Sequence, residues 1–121
     1  MLTVSDFEAA VALYRDALGL IELADWSEGD AKIVVLDAGR ATLEVVNENQ
    51  AETIDRAEVG RRISGPVRLA FKVEDSEATA ERLVRGGAEA VADAVTTPWN
   101  DRNVRLRAPD GMQLTLFTSL E

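Results

Sequence analysis

The stretch Val4-Ser5-Asp6-Phe7-Glu8-Ala9 and the later stretch Val73-Glu74-Asp75-Ser76-Glu77-Ala78 carry the same pattern, 69 residues apart. The Val, the Asp, the Glu and the Ala of the two stretches are identical. In each stretch a short apolar run gives way to hydroxyl and acidic side chains, which is typical of a capped helix start. A pattern that recurs within so short a chain indicates an internal duplication.

The residues that follow the first stretch predict a β-α-β-β-β order. Apolar residues at 3.6-residue spacing begin at Phe7, and Gly19 ends the predicted helix. Turn-forming residues then separate short apolar runs, as in an antiparallel meander. The predicted strands cover residues 2–4, 20–26, 32–37 and 41–47.

The residues around the second stretch predict the same order again. A helix is expected over residues 76–85, and Gly86-Gly87 ends it. The predicted strands cover residues 67–73, 89–95, 103–107 and 112–118. Between the two halves, residues 48–62 are polar and have few apolar anchors, so we expect a connector with one weak helix.

These patterns predict an α+β fold with two tandem βαβββ modules in a single domain, residues 1–121. The modules cover about residues 1–48 and 65–121, and the connector covers about residues 49–64. We expect a curved mixed sheet with the helices on its convex face and an open concave cleft on the other. A ligand is expected in that cleft.

The composition excludes several classes of protein. With 13 Lys and Arg against 22 Asp and Glu, the net charge of −9 disfavours nucleic acid as a partner. The absence of Cys and His rules out disulfides, zinc fingers, thiol nucleophiles and Ser-His-Asp triads. No apolar run is long enough to cross a membrane, and no secretory signal is visible, so we expect a cytoplasmic protein.

Alternation along the strands separates the side chains into two faces. One face is uniformly apolar, and we expect it to pack beneath the helices. It contains Leu43, Val45, Leu69, Phe71, Val73, Val104, Leu106, Leu114 and Leu116. The other face is mixed and basic, and we expect it to line the cleft. It contains Thr42, Glu44, Val46, Arg68, Ala70, Lys72, Asn103, Arg105, Arg107, Gln113, Thr115 and Phe117.

The charged residues of the cleft face allow two interpretations each. Glu44 is a candidate general base or ligand contact, and it is also a candidate for an ion pair with Arg68 or Arg105, which we favour. The two arginines are equally suited to clamping an anionic group of a ligand and to balancing nearby acids.

The aromatic residues allow a similar choice. Trp99 lies in the predicted loop before a cleft strand, where it can stack on a planar ligand, which we favour, or pack as an anchor at the dimer interface or the edge of the core. Phe117 faces the cleft by alternation, either as a ligand contact or as a filler of volume. Trp26 is expected to pack, and Tyr14 belongs to the apolar stripe of the first helix.

Three strings and the paired halves resemble the vicinal oxygen chelate superfamily, which contains glyoxalases, extradiol dioxygenases and bleomycin-resistance proteins. The strings are Ala12-Leu13-Tyr14-Arg15-Asp16-Ala17-Leu18-Gly19-Leu20, Thr97-Pro98-Trp99-Asn100-Asp101-Arg102-Asn103 and Pro109-Asp110-Gly111-Met112-Gln113-Leu114-Thr115-Leu116-Phe117. The resemblance covers essentially the whole chain, and it implies the fold described above.

The resemblance also implies where the metal-holding side chains of the family would fall. The four positions lie before Met1 and at Glu44, Arg68 and Thr115. Only Glu44 is a usual ligand, and a cationic Arg68 would repel a divalent ion, so we expect no metal and no other cofactor. The short first strand leaves open whether the native protein starts upstream of Met1.

We therefore expect a metal-independent small-molecule-binding protein of the bleomycin-resistance type, which confers antibiotic resistance by sequestering a planar or polycyclic ligand as a homodimer. The resemblance implies the homodimer. Trp99 and Phe117 would stack on the ligand. The residues that would orient it are Glu44, Arg68, Asn103, Arg105 and Thr115. The acidic chain favours a cationic ligand and the local arginines an anionic one, so the ligand's charge stays open.

Three alternatives remain. The first is a metal-independent lyase or isomerase that uses Glu44 as general base and an arginine to stabilise an oxyanion. The second, less favoured, is a metal-dependent glyoxalase or dioxygenase. The third is an interaction module whose cleft is filled by the protein's own side chains.

Overall fold

The computed structural model describes the whole chain, Met1–Glu121, and it divides into two compact units, Met1–Thr53 and Ile54–Glu121. Each unit contains one mixed sheet with a single parallel strand pair, so the fold is α+β as predicted. None of the helices combines the length and the apolar character that a membrane crossing requires.

The first unit has the predicted β-α-β-β-β order. Helix α1 (Phe7–Val11) continues directly as a π-helical segment, Ala12–Ala17. The strands are β1 (Leu2–Thr3), β2 (Glu22–Asp25), β3 (Ile33–Asp37) and β4 (Thr42–Val46), in the sheet order β1-β4-β3-β2. Val11, Val34, Leu36 and Val45 form the core, and Tyr14 packs against it as expected.

Helix α2 (Glu48–Val59) crosses from the first unit into the second. The second unit continues with β5 (Arg68–Lys72), α3 (Ser76–Arg85), β6 (Glu89–Ala90), β7 (Val95–Thr96), β8 (Asp101–Arg107) and β9 (Gln113–Ser119). The sheet order is β5-β9-β8-β6, and β7 also pairs with β8.

The single strand predicted over residues 89–95 is two short strands instead. Ala90 pairs with Leu106 and Val95 pairs with Asn103. Residues 91–94 therefore lie opposite only residues 104–105 of β8. The surplus residues between β6 and β7 have no place in the ladder, and the strand is interrupted there.

Helix α3 packs over β8 and β9 on the apolar face of the second sheet. Val104, Leu106, Leu116 and Ala80 form the core there, with Val73 and Leu114 against it, in agreement with the predicted alternation. The prediction is wrong for Leu69 and Phe71, which are 43% and 49% exposed. Both lie on β5, the edge strand, which α3 does not cover.

Candidate functional site

Five of the candidate site residues share one face of the second sheet, opposite the face under α3. Thr115 of β9 pairs with Arg105 of β8, and Phe117 pairs with Asn103. On the other side of β9, Phe117 pairs with Lys72 of β5. We call this surface the polar face. The candidate residues on it are Arg68, Asn103, Arg105, Thr115 and Phe117.

The other candidates lie elsewhere. Glu44 is half-buried on β4 of the first unit. Trp99 lies at the tip of the β7–β8 hairpin, which closes with a hydrogen bond from the Thr97 N–H to the Asp101 carbonyl, 2.9 Å. Its side chain is 44% exposed. Trp26 does not pack at the edge of a core, because this residue follows the exposed edge strand β2 and is itself 62% exposed.

Arg105 is the centre of a buried polar cluster on the polar face. Its guanidinium donates from Nη1 to Asp55 Oδ1 (2.9 Å) and Ser64 Oγ (2.8 Å), and from Nη2 to Glu58 Oε1 (3.0 Å). Nε donates to Thr115 Oγ1 (3.2 Å). We call these five residues the Arg105 cluster. The side chains of Arg105 and Asp55 are fully buried and that of Glu58 is almost so, which makes the two ion pairs strongly dependent on their geometry.

Asp55 is held in its charged form by several donors. Burial raises its pKa, but hydrogen bonds from the Ser64 hydroxyl, from the backbone N–H groups of Ser64 and Ile63 and from Arg105 outweigh that cost. The result is a pKa of about 2, below the usual 3.8. Arg62 adds an ion pair to the same carboxylate at 3.1 Å.

Asp55, Glu58 and Ser64 were not among the predicted site residues, because they lie in the stretch expected to be a polar connector. Glu44 was the expected carboxylate partner of Arg105, and the partners are Asp55 and Glu58 instead. The signal that identifies them is helical spacing. Ile54, Asp55 and Glu58 continue the spacing that starts at Ala51, and all four are buried on one side of α2.

Two buried amide groups on the polar face have no internal partner for their oxygens. Asn103 and Gln113 are 4% and 5% exposed, and neither Asn103 Oδ1 nor Gln113 Oε1 accepts a hydrogen bond. Buried polar atoms are nearly always paired, so an unpaired one calls for a specific explanation. Asn103 lies opposite the half-buried ring of Phe117.

The residues at the family's metal positions do not fit a divalent ion. Thr115 Oγ1 accepts hydrogen bonds from both Arg68 Nη1 and Arg105 Nε, so its lone pairs face two guanidinium groups. A hydroxyl flanked by two cations is not a ligand that Mg²⁺, Mn²⁺ or Zn²⁺ would select. No three acidic side chains are grouped closely enough to hold a metal ion.

Solved structures with the same architecture cover nearly the whole chain. A hypothetical protein from Bacillus halodurans C-125 is 16% identical with a TM-score of 0.69, covering 99% of this chain and 91% of the other. Methylmalonyl-CoA epimerase from Mycobacterium tuberculosis is 22% identical with a TM-score of 0.65, covering 99% and 85%. A Streptomyces coelicolor methylmalonyl-CoA epimerase variant, in complex with 2-nitronate-propionyl-CoA, is 21% identical with a TM-score of 0.65, covering 99% and 94%.

At these identities the likeness shows a common fold and nothing finer. No curated protein sequence matches the chain at a significant level. The family model of the Glyoxalase/Bleomycin resistance protein/Dioxygenase superfamily matches residues 1–116, nearly the full length. This chain is therefore a member of the Glyoxalase/Bleomycin resistance protein/Dioxygenase superfamily.

Proposed function

We propose that the chain is a metal-independent small-molecule-binding protein of the bleomycin-resistance type, which holds a planar aromatic ligand at the polar face. The observation that carries the proposal is the pair of buried amide oxygens, on Asn103 and Gln113, that no group of the chain satisfies. A ligand with hydrogen-bonding groups supplies what they lack. A Streptomyces relative with this fold holds an acyl-CoA analogue, which is in keeping with a small-molecule role.

The residues of the polar face differ in whether they are accessible to a ligand. Arg105 and Thr115 are each 1% exposed, so they form a rigid floor rather than a contact surface. Asn103, Phe117 and Trp99 are left as the proposed contacts. Phe117 and Trp99 offer rings for stacking, and Asn103 offers an amide for orientation.

A ligand panel with two tryptophan variants tests this proposal. A ligand present at a hundred times its Kd is expected to raise the melting temperature by about 10 °C. Its binding is expected to change the emission of Trp99 and not that of Trp26. The change should disappear in Trp99→Phe and persist in the matched control Trp26→Phe, because both side chains are exposed and only Trp99 lies next to β8.

The fate of the ligand separates sequestration from catalysis. Ligand recovered chemically unchanged supports sequestration. A ligand that is consumed, with turnover lost in Glu44→Gln and folding intact, contradicts sequestration and favours the lyase or isomerase alternative.

One observation favours a second candidate, an interaction module. The Arg105 cluster places the protein's own carboxylates, Asp55 and Glu58, over the middle of the polar face. A face filled in this way is what a vestigial cleft requires. The absence of any thermal shift across cationic, anionic and neutral aromatic compounds, with flat tryptophan emission, would favour this candidate over ligand binding.

We further propose that the protein works as a homodimer in which a second copy covers the exposed apolar side chains of β5. Leu69 and Phe71 project from one side of this edge strand and are 43% and 49% exposed. Exposed apolar side chains next to one another are typical of interfaces.

The double variant Leu69→Glu, Phe71→Glu is therefore expected to sediment as a monomer at micromolar concentration, where the parent sediments as a dimer. It should keep its circular dichroism spectrum because neither side chain is in the core. The control is Val84→Glu, a comparably exposed residue on α3. A parent that is monomeric, or a variant that remains dimeric, contradicts the proposal.

A further inference from the structure

Asp101 is an unpaired carboxylate at one end of the polar face. It lies two residues before Asn103 on β8, so both side chains project from the same side of the strand. No side chain or backbone N–H donates to its carboxylate. Burial raises its pKa above the usual value, Lys72 opposes that effect, and the carboxylates of Glu121 and Glu58 add to it.

A further acceptor atom without a donor lies two residues along the same strand. Asn103 Oδ1 is buried and accepts no hydrogen bond. We call Asp101 and Asn103 the acceptor end. A carboxylate has room for several donors, and the chain supplies none to that of Asp101.

The nearby cation does not remove the deficit. Lys72 flanks Phe117 on the side away from Asn103. Its side chain is exposed and forms neither a hydrogen bond nor an ion pair with an acid of the chain. An exposed lysine of this kind retains its hydration and its rotamer freedom, so the acceptor end lacks a fixed positive partner.

We propose that the acceptor end binds a protonated amine of the ligand, while the ring of Phe117 beside it contacts the ligand's aromatic part. This inference rests on the proposed function and names the chemical class of its ligand, a cationic aromatic amine. An ammonium group supplies three donors and a charge, which match the amide oxygen of Asn103 and the two carboxylate oxygens of Asp101. The face of an aromatic ring also attracts a cation.

Three probes that differ in one substituent test the charge preference. They are 9-aminomethylanthracene, which is cationic at neutral pH, 9-anthracenemethanol, which is neutral, and 9-anthracenecarboxylate, which is anionic. Their Kd values are measured by isothermal titration calorimetry with the full-length protein. The cation is expected to bind at least about 10-fold more tightly than the neutral probe, and the anion more weakly than the neutral probe.

Variants at the two charged positions move the preference in opposite directions. Asp101→Asn is expected to bring the cation and the neutral probe within about 3-fold of each other, chiefly by weakening binding of the cation. Lys72→Gln is expected to tighten binding of the cation, because a competing charge is removed. Asp93→Asn, an exposed carboxylate between β6 and β7, is the matched control and should change nothing.

The outcomes separate this inference from the proposed function. Equal binding of the three probes, or tightest binding of the anion, overturns the inference and leaves small-molecule binding intact. An equal loss of affinity for all three probes in Asp101→Asn also overturns it, because that result indicates a structural role. Failure of every probe to bind counts against the inference, and the wider ligand panel then decides separately whether the proposed function fails as well.

Discussion

Replacing Arg105 with Met is expected to remove about 3–5 kcal/mol from the free energy of unfolding, which is a large part of the stability of an ordinary domain. The substitution leaves the carboxylates of Asp55 and Glu58 buried without the guanidinium that binds both. An uncompensated buried charge has lost its hydration and gains nothing in return. Urea denaturation followed by circular dichroism measures the loss.

The chain provides a matched control for the effect of burial. The Arg102–Glu77 ion pair has an N–O distance of 2.9 Å, close to the 3.0 Å of Arg105–Glu58, but its side chains are 35% and 56% exposed against 0% and 2%. Arg102→Met is expected to cost less than about 1 kcal/mol. Equal costs for the two arginines would contradict the importance assigned to the Arg105 cluster.

A variant that fails to fold would leave no transition to measure, so Glu58→Gln provides a milder change. It keeps an acceptor for Arg105 and Thr115 and removes only one of the two charges that Arg105 binds. We expect a loss of about 1–2 kcal/mol, between those of the two arginine variants. A stability equal to that of the parent would count against the cluster.

Acid is expected to destabilise the fold by about 2 kcal/mol through Asp55 alone. Its pKa is about 2 in the folded protein and about 3.8 when the chain is unfolded. Between these values the unfolded chain binds a proton that the folded protein does not. The stabilisation is therefore complete above pH 3.8 and is lost as the pH falls toward 2. Urea transitions recorded across this range give the slope.

Asp55→Asn isolates this contribution from that of the other carboxylates. The variant cannot lose a proton at that position, so its stability should depend less on pH than that of the parent. The two proteins should differ most near neutral pH and converge near pH 2, where the parent's Asp55 is protonated in half of the folded molecules. Parallel pH profiles would contradict the role given to Asp55.

Local patterns predicted most of the fold because the physical causes are local. Asp6 and Asp75 each precede a helix, and each side chain accepts a hydrogen bond from the backbone N–H three residues later, at 3.0 Å. Alternation in β8 and β9 placed the core under α3 correctly. It failed at Leu69 and Phe71. Alternation predicts which face of the sheet a side chain lies on, but it does not predict how many strands of that face a helix covers.

The Arg105 cluster was not predictable in the same way. Alternation placed Arg105 on the polar face, but its partners come from α2, about fifty positions earlier in the chain. Two acids on a polar stretch are usually a solvated helix surface. Their burial on one side of α2 depends on the tertiary arrangement, whereas Glu44 is the acid that alternation places on a predicted cleft strand.

The buried pairing between α2 and β8 also decides how the duplicated chain can be divided. The repeat in the sequence suggests a cut near residue 65, which would yield two similar pieces. Such a cut separates Arg105 from both of its carboxylates, because Asp55 and Glu58 stay with the other piece. In the first unit, the residue paired with Glu44 on the neighbouring strand is Val35. Val35 is apolar, so unlike Arg105 it needs no carboxylate from the connector. The halves are thus not interchangeable, and the part of α2 from Ile54 onward belongs with the second module.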